Sequence, residues 1–204
     1  GGVALLVAAF SINNTFSILI AQRSRESALL RAIGASRRQV LTSVIVEALT
    51  IDTGRHLLAQ AEFGGTIAAI DRWCNQAPGL IREDQGRSQA QPSITWRSQL
   101  VPYALVGVIS PWNFPLTLSL IDAIPALLAG CAVLVKPSEV APRFVEPLKR
   151  SIAAVPELAV VLDLVPGDGR AGAALVGLVD VVCFTGSVRT GRLVARTAAE
   201  HFIP

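Results

Sequence analysis

Methionine is missing from all 204 residues. Because translation starts on one, Gly1 is not expected to open a complete reading frame. Lysine is nearly missing too, with Lys136 and Lys149 its only instances. The three cysteines, Cys74, Cys131 and Cys183, are odd in number, far apart and set among apolar neighbours. That pattern excludes a disulfide framework and a zinc site and suits a reducing compartment. Neither His56 nor His201 has a partner at metal-ligand spacing. Aromatic residues make up 5% and charged residues 16%, too few of either for the basic, aromatic-studded face that a nucleic-acid binder needs. The small excess of +3 is also badly placed for one. Residues 1–50 hold five arginines against Glu26 and Glu47, whereas residues 51–204 hold 13 basic and 13 acidic side chains.

What the chain does have is apolar material, 51% of it, enough to bury a core and to exclude disorder. Residues 1–22 carry no charge and as a helix would reach about 33 Å, enough to cross a hydrocarbon core. The segment reads as a membrane-associating, transmembrane helix; the alternative is a buried helix of a soluble protein. Its polar Ser11, Asn13, Asn14, Thr15 and Ser17 would face a neighbouring helix or a cavity. Arg23, Arg25, Arg31, Arg37 and Arg38 follow as a cytoplasmic basic flank. Gly34 suits the end of one helix, and Ser36 with Gln39 three residues on forms a capping box for the next.

The words Arg-Ser-Arg-Glu (Arg23–Glu26), Ala28–Ala35 and Val-Glu-Ala-Leu (Val46–Leu49) resemble FtsX-like ABC-transporter permeases, over about residues 13–50. The resemblance implies the end of a transmembrane helix and a cytoplasmic turn. It divides the chain into a permease-like domain, 1–50, and a second domain, 51–204, placed in the cytoplasm.

From Ile51 the texture changes. Leu57, Leu58, Ala61, Ile67 and Ile70 recur at helical spacing up to Trp73, and Pro78-Gly79 ends the run. A polar stretch, Arg82–Ser93, precedes Ile94–Val108, which alternates as an exposed hairpin or edge strand does. Then strand and helix patterns repeat. Val106–Ser110, Ala132–Lys136, Val161–Val165 and Val179–Phe184 read as buried strands. Leu116–Leu128, Phe144–Ala154, Ala171–Leu178 and Val188–Glu200 read as helices. Four such units predict an α/β fold, a parallel sheet of about four strands with right-handed crossovers, flanking helices and a β-hairpin. Ligands of such sheets lie beyond the carboxyl ends of the strands.

The chemically informative words stand at those ends: Pro111-Trp112-Asn113-Phe114-Pro115, Lys136-Pro137-Ser138-Glu139, Pro166-Gly167-Asp168-Gly169 and Phe184-Thr185-Gly186-Ser187. A carboxylate at Glu139 can accept ribose hydroxyls and repels a 2′-phosphate; the alternative is a solvated Lys–Glu pair. Ser187 before a helix can help receive an anion or serve only as an N-cap. Gly169 permits close backbone approach or marks a plain turn. Asn113 can hold a fixed amide donor or merely close its own turn. Cys131 and Cys183 read as packed thiols.

Taken together, the four words over residues 53–204 resemble the cofactor domain of the NAD(P)-dependent aldehyde dehydrogenases. The resemblance implies a Rossmann-like domain and a hairpin that belongs to the oligomerisation element. It implies Asn113 as the oxyanion donor and Lys136 and Glu139 as holders of the adenosine ribose. The cofactor contacts it implies are Ile109, Ser110, Trp112, Asn113, Lys136, Ser138, Glu139, Gly169, Gly186 and Ser187. The cofactor is expected to be NAD, NADP less so. Thr190 stands where the family has an apolar residue.

In that family the nucleophilic Cys and general-base Glu lie beyond the segment matched here, so the expectation is a fragment that binds the dinucleotide without turnover. An aldehyde substrate would be bound only by a complete enzyme. Open strand edges would favour self-association. The alternatives are a permease fragment and a non-functional fusion joined near residues 50–53.

Overall fold

The computed structural model describes residues 36–204; the apolar segment 1–22 and the basic flank up to Arg31 lie outside the described residues. Residues 45–204 form one compact unit. At the first described position the expected capping box is present: Ser36 Oγ accepts from the Gln39 N–H at 3.2 Å, and Gln39 Oε1 accepts from the Ser36 N–H at 2.8 Å.

Helix α1 runs Arg37–Thr53. Within it Ile45, Val46, Ala48 and Leu49 are buried while Glu47 is exposed. In the permease-like word Val-Glu-Ala-Leu, Val46, Ala48 and Leu49 therefore face a protein core and Glu47 faces outward. Gly54, at φ +69°, ends α1 in the left-handed conformation that glycine adopts without strain. Helix α2, His56–Leu80, follows at once. It carries Pro78 in its last turn, where only one backbone donor is lost. Among the described residues no helix is long and apolar enough to cross a membrane.

Strands β1 (Asp84–Arg87) and β2 (Thr95–Ser98) form an antiparallel hairpin. The first of these lies inside the polar stretch Arg82–Ser93. No hydrophobic period marks it; pairing does, and a Cβ on Gly86 would sit 2.8 Å from the Trp96 ring, so only glycine lets the indole lie across the strand.

The main sheet contains β3 (Leu105–Ile109), β4 (Ala132–Lys136), β5 (Leu162–Leu164) and β6 (Val181–Phe184), all parallel, in the order β5-β4-β3-β6. The helices are α3 (Pro115–Leu120), α4 (Ala123–Leu128), α5 (Val145–Ala153), α6 (Pro156–Ala159), α7 (Gly169–Val176) and α8 (Val188–Glu200). The helix expected over Leu116–Leu128 is two helices. Pro125 has no N–H to return to the Ile121 carbonyl and cannot continue the first ladder. The short α6 carries too few residues to show a period.

Val106, Val108, Val133 and Val135 are buried in the two central strands, as expected for a sheet covered on both faces. Behind β3, a core of Ile109, Leu175, Val176, Val179 and Ala198 joins the sheet to α7 and α8. The chain starts in β3, moves out to β4 and β5, then crosses back to β6 on the other side of β3. The connection therefore reverses between β3 and β6, which makes the carboxyl ends of those two strands the switch point.

Candidate functional site

Register decides which residues share the rim. Ile109 pairs with Lys136 on one side and with Phe184 on the other. The loops that follow β3, β4 and β6 thus leave from one level, and Leu164, one step back, pairs with Val135. All four words found at strand ends emerge on the same edge of the sheet.

After β3, the Ser110 N–H donates to the Lys136 carbonyl at 3.2 Å. Ser110 Oγ is buried against Ser119 Oγ at 2.7 Å, so this hydroxyl is engaged inside the fold. Trp112 and Asn113 are exposed. The Asn113 carbonyl accepts from Arg55 Nη2, and the Arg55 guanidinium lies 5.2 Å above the Phe114 ring, an attractive cation–π geometry. Pro115 opens α3 at N1, where its missing N–H costs nothing.

After β4, Lys136 is 5% exposed and its Nζ donates to Glu139 Oε2 at 2.9 Å. Its stem lies beside α7: a Cβ on Gly172 would be 3.8 Å from Ile109 Cδ1 and 4.0 Å from Lys136 Cδ. Glu139 itself is exposed, and the Lys136 hydrogen bond holds its carboxyl below the ordinary range. Ser138 Oγ accepts from the Val140 N–H at 3.3 Å, stiffening the turn.

After β5, Asp168 is the N-cap of α7, its Oδ1 accepting from the Arg170 N–H at 2.9 Å. That hydrogen bond is the leading cause that lowers its carboxyl, and the Lys136 charge lowers it further. Two carboxylates, Glu139 and Asp168, therefore share the field of one buried ammonium. The role of Asp168 was legible as an N-cap before a helix and was passed over in favour of Gly169. No atom lies within 4 Å of a Cβ built on Gly169; nothing in the fold itself demands glycine there.

After β6, the Thr185 N–H donates to the Ile109 carbonyl at 3.0 Å. A Cβ on Gly186 would meet the Phe184 ring at 2.6 Å, and one on Gly191 would meet it at 3.0 Å. The ring is clasped by two residues that have no side chain. Ser187 caps α8, accepting from the Thr190 N–H at 3.2 Å, and its Oγ lies 2.9 Å from Thr190 Oγ1. The unexpected Thr190 thus supports the cap. Cys131 is buried at the start of β4, the end away from Lys136. Cys183 lies within β6, its thiol pushed up by burial and then by Asp122.

The sequence reading missed Glu62 of α2 and Arg55, the residue before that helix. Glu62 is 7% exposed, and its Oε1 accepts from the Leu116 and Thr117 N–H groups at 2.8 and 3.0 Å. Thr66 Oγ1 lies 2.8 Å from Thr117 Oγ1. A carboxylate and a hydroxyl four residues apart on a helix face packed into the protein were the available signal. Between α2 and the α3–α4 pair lies a cavity of about 370 Å³, with Leu58, Glu62, Thr66, Trp73, Phe114 and Ile121 in its wall.

Burial raises the Glu62 carboxyl above its ordinary 4.5, outweighing the Thr117 and Leu116 hydrogen bonds and the Arg55 charge; Arg72 also borders the cavity. Folding therefore favours the protonated form. The stability this confers is complete below 4.5 and is lost as pH rises through the folded-state value. In Glu62→Gln the amide oxygen keeps the cap without the charge. Thermal melting is expected to give similar wild-type and variant stabilities in acid, with the wild type falling behind as pH rises; a difference independent of pH would contradict this.

A parallel sheet whose strand order reverses beside β3, flanked by helices and with a buried lysine and its carboxylate partner on the same rim, defines the open α/β class. The comparisons make the assignment narrower. Residues 19–204 match the family model of the aldehyde dehydrogenase family, and the chain belongs to that family. It is 34% identical to the 4,4'-diapolycopene aldehyde oxidase of Methylomonas sp over 89% of this chain and 38% of the relative. It is 38% identical to the geranial dehydrogenase of Castellaniella defragrans over 71% of this chain and 30% of that protein. The putative aldehyde dehydrogenase PutA of Anabaena variabilis superposes with a TM-score of 0.77 at 52% identity, over 92% of this chain and 38% of that structure. The chain spans well under half the length of each of these relatives.

The family match begins at residue 19 and crosses residues 50–53. It therefore takes in Arg23–Glu26, Ala28–Ala35 and Val46–Leu49, the words read above as permease-like, and the position read as a junction. Nothing in the comparisons supports a permease segment. The correction has a physical cause: an amphipathic helix with a basic start and an apolar stripe has the same local texture at a membrane surface as against a protein core.

Proposed function

We propose that this chain supplies the dinucleotide-holding part of an aldehyde dehydrogenase that oxidises an aldehyde to a carboxylic acid with NAD. The observation that carries the reading is the buried Lys136 ammonium, held 2.9 Å from the exposed Glu139 carboxylate at the carboxyl end of β4, on the rim from which the loops after β3 and β6 also leave. A buried charge with an exposed partner is costly unless a ligand uses it. The pair fits a ribose: the ammonium donates, the carboxylate accepts from the hydroxyls, and its charge opposes a 2′-phosphate, favouring NAD over NADP. When bound, the dinucleotide takes up the hydride lost by the aldehyde carbon.

The other residues fit the same occupant. Gly186 and Ser187 present the start of α8 to a pyrophosphate, with Phe184 packed so that only glycine fits beneath it. Ser138 and Gly169 border the adenosine side. Ile109, Ser110 and Trp112 lead to Asn113, Ser110 through its backbone because its hydroxyl is already bonded. The exposed Asn113 amide is assigned as the donor to the oxyanion, a role worth about 2.7–4 kcal/mol in a dry site. The cavity beside Phe114 has the volume of a small-molecule site, and its apolar wall fits an aldehyde with a hydrocarbon body. Cys131, at the far end of β4, Cys183, inside β6, and Cys74, on α2, all lie off the loops that leave the strand ends; we assign the thiolate and the general base to residues outside this chain. The exposed hairpin, with Trp96 on β2, is assigned to self-association.

Titrating NAD and NADP into the protein tests this. NAD is expected to bind more tightly than NADP, and Ser187→Ala is expected to weaken NAD by about fivefold, the equivalent of one lost cap or anion contact of about 1 kcal/mol. Absence of NAD binding, or equal binding of both dinucleotides by wild type and variant, would remove the reading.

A further inference from the structure

We infer that Arg55 and Glu62, both on or bordering α2, are positioning residues for Asn113: they grip the segment 113–117 at its two ends. The inference rests on the proposed role of Asn113 as oxyanion donor.

The reason lies in how α3 begins. Its N-cap residue is Phe114, which makes no side-chain cap hydrogen bond and has no acceptor to offer. Pro115 then occupies N1. The Leu116 and Thr117 N–H groups would be orphans at a helix start, in a place where both residues are at most half-exposed. Asparagine is among the best N-cap residues, and were Asn113 one position later its side chain would be spent on those donors. It stands one residue early, and Glu62 supplies the missing acceptor from another helix, 54 residues away, with Oε1 at 2.8 Å from Leu116 N and 3.0 Å from Thr117 N. The Asn113 amide is thereby left for an incoming oxygen.

At the other end, Arg55 takes the Asn113 carbonyl and covers the Phe114 ring at 5.2 Å. A carbonyl held by a charged donor and a ring held by its face fix the peptide plane on which the Asn113 side chain is carried. Thr66 adds a third tie through Thr117 Oγ1 at 2.8 Å. The arrangement commits the Glu62 carboxyl of α2 and the Arg55 guanidinium just before that helix to one five-residue loop.

Residue-resolved amide exchange and side-chain amide NMR on the whole chain test the proposal, with Glu62→Ala, Glu62→Gln and Arg55→Ala. In Glu62→Ala the Leu116 and Thr117 amides are expected to exchange about fivefold faster or more, and the Asn113 side-chain amide resonances to move, while amides of β3 and β4 keep their rates. Glu62→Gln, which keeps the acceptor, restores the wild-type pattern. Arg55→Ala moves the Asn113 and Phe114 signals and leaves Leu116 unchanged. Uniform acceleration across the sheet, or unchanged 116–117 exchange in Glu62→Ala, would overturn the inference. If Glu62→Ala does not fold, Arg55→Ala decides alone, an unmoved Asn113 signal counting against. No dinucleotide enters this measurement, so failure of NAD to bind would strike the proposed function and not the exchange result.

Discussion

Gly107→Val is expected to lower unfolding stability by about 1–3 kcal/mol or more, the usual cost of overpacking a filled core. Gly107 is buried in β3, flanked by β4 and β6. A Cβ there would stand 2.4 Å from Leu175 Cδ2 and 3.1 Å from both methyls of Val179. Neither neighbour can retreat, because each is 4% exposed and belongs to the core that fastens α7 and α8 to the sheet. Valine adds two further methyl groups to that overlap. Its β-branch, which favours strands on an open face, cannot compensate where the face is occupied. Urea denaturation should show a lower midpoint with an unchanged slope; a variant as stable as wild type would mean that α7 can lift off the sheet.

Lys136→Met is expected to weaken NAD binding by about tenfold to a hundredfold, the range for losing a hydrogen bond to a charged partner, while leaving stability equal or higher. Methionine follows the course of the lysine stem past Ile109 and Gly172. It removes a buried ammonium whose desolvation the fold bears. Its partner is not stranded, because Glu139 is 55% exposed and returns to water. The carboxyl should also rise toward its ordinary titration, its own backbone hydrogen bond still holding it down in part. In the wild type Glu139 lies below 4.5, so its pairing contributes above that value and is lost as pH falls through the depressed one; in the variant this acid sensitivity should shrink. Affinity by calorimetry and melting against pH measure the two halves. Undiminished affinity would show that Lys136 does not face the dinucleotide.

Much of this arrangement was legible as words. Each strand of the main sheet was marked by a mostly apolar run, broken only by Asp163 in one and Asp180 in another, and the polar and glycine residues that follow each run were found where the register brings them together. Ser187 and the Ser36–Gln39 box could be read from residue type and spacing, since capping is a local reaction of a side chain with its own next turn. Other features were out of reach for a stated reason. Strand β1 has no hydrophobic period and exists only because β2 pairs with it. The break between α3 and α4 follows from Pro125, which the reading of Leu116–Leu128 as one helix left out of account. Three short words assigned the segment containing α1 to a permease, since a short word with an apolar stripe looks the same whether a membrane protein or a soluble core holds it.

The sequence by itself determined the alternation of strand and helix, the residues at each strand exit and the kinship those exits imply, because periodicity and capping act within a few residues. The tertiary structure alone decided that β6 crosses back beside β3, so that a switch point exists. It also decided that Arg55 and Glu62 reach across to the loop holding Asn113. Neighbours in a sheet and partners 54 or 58 residues apart are selected by the packing of whole elements, and no local pattern carries that information.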